Sequence, residues 1–180
     1  MPIRTGLDER IKSVQNELKE YFEEAKHIYD DAIDAFTKLD SQVYSEAKRA
    51  RAKAREVNWD LTNDLLLILA LNQPLMQDLR IIATYLRAVD TVERLIRHAR
   101  DIARSDRSID EDADELPQEI VDPVLEMHQH LNALIDITVV CLTKGQEVPA
   151  DDVRKNWRLV KDSHAKAVAA LSSLKSDTMG

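Results

Sequence analysis

The sequence predicts an all-α fold, an antiparallel helical bundle of about five helices, and three observations carry that expectation. The 180 residues include only three glycines and five prolines, so little material is left for turns and strands. Ala, Leu, Glu, Lys and Arg, which cost least in a helix, are abundant. Apolar residues recur in alternating steps of three and four, the spacing that gathers them on one helical face.

Each helix is read from its own seam. The first runs through Leu7, Ile11, Val14, Leu18, Tyr21, Ala25, Ile28, Ala32, Ala35 and Leu39, and Thr5 with Asp8 resembles a capping box at its start. A second opens near Asp40 or Ser41 and runs through Val43, Ala47, Ala50, Ala54, Val57, Leu61, Asp64, Ile68 and Leu71. Gln73-Pro74 stops it, because the residue before a proline is pushed out of the helical region. Pro74 suits the first position of a third helix and Asp78 complements its N-terminal dipole; the apolar face is Leu79, Ile82, Leu86, Val89, Ile96 and Ala103. Residues 106–115 are acidic and aperiodic, which predicts a linker. Asp110, Asp112 and Asp114 within it imitate the opening of a calcium loop without that loop's glycine or final Glu.

The fourth helix carries Ile120, Val124, Met127, Leu131, Leu134, Thr138 and Cys141, and Gly145 ends it. Pro123 either begins this helix with Asp122 as cap or interrupts one begun at Pro117. Pro149, Asp151 and Asp152 open a fifth helix with the seam Val153, Trp157, Val160, His164, Ala167, Leu171 and Leu174. A spacing near 3.5 residues and short turns predict antiparallel neighbours with a slight left-handed winding. The chain therefore reads as a single helical domain over residues 1–180: a three-helix unit over 1–105, the linker over 106–115, and a helical hairpin over 116–176. The hairpin resembles a faint copy of the first two helices, with Thr37-Lys38 and Thr143-Lys144 at matching turns. Two helices alone leave an apolar face, which is expected to pack on the first three helices or on another subunit.

Composition limits the function classes. A net charge of −8 and a pI near 5.2 argue against a uniformly basic nucleic-acid binder and suit a cytoplasmic protein. One cysteine, Cys141, allows no internal disulfide, and its seam position reads as a buried, inert thiol. The longest apolar run, Leu65 to Leu71, falls well short of the roughly 20 residues that span a bilayer, so membrane contact is expected only through a partner. No Gly-rich phosphate loop and no recognisable nucleophile motif is present, so no enzyme is predicted. Glu24 with His27 is a lone Glu-x-x-His pair where di-metal bundles use two. His128 and His130 point to different faces, and His164 reads as an interior histidine.

Gln73-Pro74, Asp78-Leu79-Arg80 and Glu93-Arg94 resemble the signature helix of the PhoU family. The resemblance implies two three-helix bundles, and here the second copy ends where its third helix would begin. It implies a non-enzymatic cytoplasmic regulator of phosphate uptake and phosphate homeostasis that contacts the ATPase of a phosphate transporter or a sensor histidine kinase. A homodimer is expected. Glu93 and Arg94 are the motif residues best suited to contact a partner. Members of the family hold divalent, iron or zinc ions with Glu-x-x-x-Asp carboxylates. Here the Asp position is Arg97, a cation that pairs more simply with Glu93 one turn away. Remaining metal candidates are Asp60, Asp64 and Glu93; the plainer reading buries Leu65, leaves Asp64 at the edge and sets Asp60 opposite Arg87.

Charge placement gives a second functional reading. Lys48, Arg49, Arg51, Lys53 and Arg55 lie early in helix two, and Arg94, Arg97, Arg100 and Arg104 lie late in helix three. A fold-back at Pro74 sets these groups side by side. Lys48, Arg49, Arg51, Arg55, Arg97, Arg100 and Arg104 are thus the candidate partner-binding residues, unless Asp30, Asp31 and Asp34 neutralise them. Aromatics do not interleave the arginines, so nucleic acid is a poorer expectation. Other readings kept open are an accessory of another transporter or ion channel, and a metal-binding helical bundle.

Overall fold

The computed structural model describes residues 2–39, 42–105 and 116–177, and side chains over 6–39, 42–104 and 116–174. Five helices follow one another: α1 (Pro2–Lys38), α2 (Val43–Asn72), α3 (Met76–Ser105), α4 (Gln118–Lys144) and α5 (Ala150–Asp177). No strand occurs among the described residues. The chain divides into two compact units, Met1–Ala32 with Gln42–Arg104, and Ile33–Ser41 with Ser105–Gly180. The predicted linker over 106–115, with Asp110, Asp112 and Asp114, lies outside the described residues, as do Asp40 and Ser41.

Three helices make the first unit. Leu18, Leu61, Leu65, Ile82, Val89, Val92 and Ile96 are its fully buried large side chains, and Ala25, Ala47, Ala54 and Ala99 are buried with them. The Tyr21 hydroxyl, itself buried, donates to the Ala54 carbonyl oxygen at 2.9 Å. Lys53 on α2 reaches Glu24 on α1 at 2.8 Å. An open groove of about 320 Å³ has Arg10, Ser13 and Glu17 of α1 beside Asp64 and Leu67 of α2. Rising numbers on α1 thus meet falling numbers on α2, so the two helices are antiparallel. Asn58 donates to Asp90 at 3.2 Å, and Arg51 lies by Arg97 and Arg100, so α2 and α3 are antiparallel too.

Several element boundaries differ from the sequence expectation. α1 starts at Pro2, so Thr5 lies inside the helix rather than capping it; proline is favoured at a first helical position, where its missing N–H costs nothing. Gln73 ends α2 in the left-handed conformation, φ 45° and ψ 59°, not the extended one expected before proline. Pro74 precedes α3 instead of opening it. Leu75 is the cap: its carbonyl accepts from the Leu79 N–H at 2.9 Å, and its own N–H donates to Asp78 Oδ2 at 3.2 Å. Asp78 therefore supplies the returning half of a capping box as well as favourable charge.

α4 and α5 form an antiparallel hairpin in the second unit. α4 begins directly after Pro117 and contains Pro123, which is buried, so the open question at Pro123 closes in favour of the earlier start. Gly145 ends α4 with φ 61°, a left-handed conformation that glycine adopts without steric cost. The Val153 N–H donates to the Pro149 carbonyl at 3.0 Å, and Asp151 and Asp152 occupy the first turn of α5. Across the hairpin, His130 Nδ1 lies 3.0 Å from Asn156 Oδ1, Ser163 donates to Glu126 at 3.2 Å, and Lys166 donates to the same carboxylate at 2.8 Å.

The fifth seam holds in part. Val160 and Ala167 are buried as expected, but His164 is exposed and Trp157 is 53 % exposed, with Leu171 at 50 %; Ser163 takes a buried place that the seam did not include. Small side chains let two helix backbones approach, so Ser163 and Ala167 face inward while Trp157, His164 and Leu171 face out. Thr138 is exposed, and Cys141 is half-buried rather than buried, its thiol 3.8 Å from the Glu147 carbonyl. His128 meets Asn132 on its own helix while His130 meets α5, so the two histidines do diverge.

Candidate functional site

The basic residues of α2 and α3 do come together, because the two helices run antiparallel. Arg51 and Arg55 lie one turn apart on α2, and Arg97 and Arg100 lie close by on α3. Burial, together with Arg100, Arg55 and Arg97, holds the Arg51 guanidinium below its ordinary value; only Glu93 acts the other way. Nε of Arg51 and Nε of Arg100 are shielded from solvent and make no hydrogen bond. Arg100 pairs through Nη2 with Asp101.

Of the carboxylates expected to neutralise this end, Asp34 binds Lys38 on its own helix at 2.7 Å, Asp31 is exposed and Asp30 lies beside Tyr29. Of the remaining candidate contact residues, Lys48, Arg49 and Arg104 are exposed, and Arg49 Nε reaches the Ser45 carbonyl at 3.4 Å.

Glu93 does not form the expected pair with Arg97 one turn away. It lies half-buried beside Arg51 and beside Tyr21, whose phenol is pushed above its ordinary value by burial and then by Glu93, Glu24 and Asp90. A residue on the core edge of α3 faces α1 and α2 before it faces its own helix. Arg94 and Arg80 are exposed, and the Arg80 carbonyl accepts from Thr84 at 2.8 Å.

The carboxylates proposed for a metal are not assembled. Asp60 and Asp64 are exposed, and Leu65 takes the buried position, as the plainer reading has it. Asp64 lines the groove with Arg10 and Glu17. No ion pair joins Asp60 to Arg87; the polar contact across this hairpin is Asn58 with Asp90. Among the described residues no three His, Cys, Asp or Glu side chains are grouped to hold a metal ion. At the family's carboxylate position stands Arg97, within a cluster of guanidiniums, and such a donor set does not fit a cation.

Sequence reading missed one surface. Leu71 and Leu79, placed on seams, are 65 % and 44 % exposed, and Leu66, Leu67, Leu75 and Met76 join them around the Gln73-Pro74 turn. The signal was there in the run Leu65 to Leu71, which carries more apolar residues than one buried stripe accommodates.

The first unit is a three-helix bundle that brings arginines of α2 and α3 near one another, and among the described residues no three His, Cys, Asp or Glu side chains are grouped to hold a metal ion. The family model of the PhoU domain matches residues 18–105, just under half of the chain, so this stretch is similar to the PhoU domain. The PhoU domain is a helical bundle with a general regulatory, non-enzymatic role in phosphate transport. Nothing among the curated proteins or the solved structures matches the chain. No helix of the described residues is long and apolar enough to cross a membrane.

Proposed function

We propose that the chain is a non-enzymatic, cytoplasmic regulator of phosphate uptake that docks on the ATPase of a phosphate transporter or on its sensor histidine kinase. The observation that carries this reading is the PhoU domain over residues 18–105. The cluster of Arg51, Arg55, Arg97 and Arg100 supports docking, since uncompensated charge steers and selects an acidic partner. Membrane association is through that partner, and the working form is a homodimer.

The test is phosphate uptake at ample phosphate in cells lacking the chain, restored with the intact protein or with Arg49→Glu combined with Arg55→Glu. Both arginines are exposed, so the variant is expected to fold. Raised uptake that only the intact protein corrects is the expected result. Unchanged uptake in the deletion would show that the domain serves another transporter or an ion channel.

A further inference from the structure

We propose that Arg51, Arg55, Arg97 and Arg100 form a binding site for a multiply charged oxyanion of the phosphate class. Arg51 and Arg55 are on α2, Arg97 and Arg100 are on the antiparallel α3, and the last three lie near enough to Arg51 to act on its charge. Like charges gathered across a helix pair repel one another and lower stability, unless something of opposite charge joins them. Glu93 is one carboxylate against four cations, and Asp101 takes part of Arg100 alone. A charge of about two remains uncompensated. A doubly charged anion matches it, whereas a single carboxylate side chain would leave half of it.

The donor geometry agrees. A guanidinium offers a planar fork that grips phosphate oxygens two at a time. Nε of Arg51 and Nε of Arg100 are withdrawn from solvent yet bond to nothing, and each is a donor left over once the protein's own bonds are made. Tyr21 fixed to the Ala54 carbonyl and Lys53 fixed to Glu24 tie α1 to α2 beside the cluster, so the helix that presents Arg51 and Arg55 is held in place. Arg97 occupies the position where the family places a metal-binding Asp, so the sign of the expected ligand is reversed here.

This deepens the reading of the basic end as a contact surface, but its test needs no partner protein. The full chain is titrated calorimetrically with orthophosphate, and separately with a short inorganic polyphosphate, at neutral pH and fixed ionic strength. Saturable binding is expected. Arg51→Gln with Arg100→Gln should weaken it at least about tenfold, since each lost charge-assisted bond contributes on the order of 1.5 kcal/mol or more. Arg154→Gln with Arg158→Gln, on α5, should leave it unchanged.

Arg55→Gln with Arg97→Gln serves as an independent second variant, and circular dichroism verifies folding of each. Tighter binding of polyphosphate assigns the site to linked phosphoryl groups, and equal or tighter binding of orthophosphate assigns it to the free anion. Absence of saturable binding to the intact chain overturns the proposal. So does equal weakening by the α2–α3 and α5 variants. Either negative result leaves the uptake experiment with its own answer.

Discussion

The two units of this chain are both helical, yet they are held together by different means. In the first, seven large side chains are fully buried and polar contacts between helices sit around them. In the second, residues 130–135 in the middle of α4 are all half-buried, and the α4–α5 seam is bridged by His130 with Asn156 and by Glu126 with Ser163 and Lys166. Burial of apolar area is proportional to surface removed from water and hardly depends on partner geometry. Hydrogen bonds across a half-wet seam contribute little net energy but fix the register of the two helices. The first unit has the means to be stable; the second is specified more by pairing than by a core.

The most severe test of that contrast is a pair of truncations. Leu61→Ala, at a position 1 % exposed, is expected to cost about 3 to 4 kcal/mol in chemical denaturation followed by circular dichroism. Leu131→Ala, at a half-buried position of α4, should cost less than about 2 kcal/mol, because less area and less cavity are at stake. Equal costs would break the distinction between the units.

A smaller effect sharpens the account of the first unit. Tyr21→Phe keeps the ring but removes the bond to the Ala54 carbonyl, and should cost about 1 to 1.5 kcal/mol at neutral pH. The phenol is raised above its ordinary 10.0, so its contribution is complete below that value and declines as pH rises past it. The gap between wild type and Tyr21→Phe should therefore narrow in alkali. A variant as stable as wild type at neutral pH would make this bond a passive consequence of packing.

These differences also explain how far the sequence could be read. The apolar seams of α1, α2 and α3 predicted the buried Leu7, Val14, Leu18, Tyr21, Ala54, Leu61, Ile68, Ile82, Val89 and Ile96, because in a three-helix unit each stripe faces a core. The meeting of Arg51 and Arg55 with Arg97 and Arg100 followed from the turn at Gln73-Pro74 alone. On α5 the same method found the buried Val160 and Ala167 but misplaced Trp157, His164 and Leu171, because apolar periodicity carries no signal for the small polar Ser163 that is buried there. Glu93 was assigned to Arg97 because spacing along one helix is visible in sequence, while its proximity to Tyr21 and Arg51 depends on helices distant in the chain.

The smallest expected effect probes the polar seam of the second unit. The Glu126 carboxyl lies below its ordinary value of 4.5, first because Lys166 hydrogen-bonds to it and adds its charge, then because Ser163 donates to it; His130 helps and partial burial opposes. A carboxylate depressed in this way stabilises the fold above its unfolded value, and the contribution is lost as pH falls through the folded one. Glu126→Gln should consequently lower the denaturation midpoint slightly at neutral pH, with the difference from wild type vanishing as pH falls below the ordinary carboxylate range. Added salt should shrink it as well, since Glu126 and Lys166 are both largely exposed and their attraction is screened. A difference that persists unchanged into acid would mean that Glu126 acts through shape and not through charge, and the seam would then resemble the first unit more closely than its hydrogen bonds suggest.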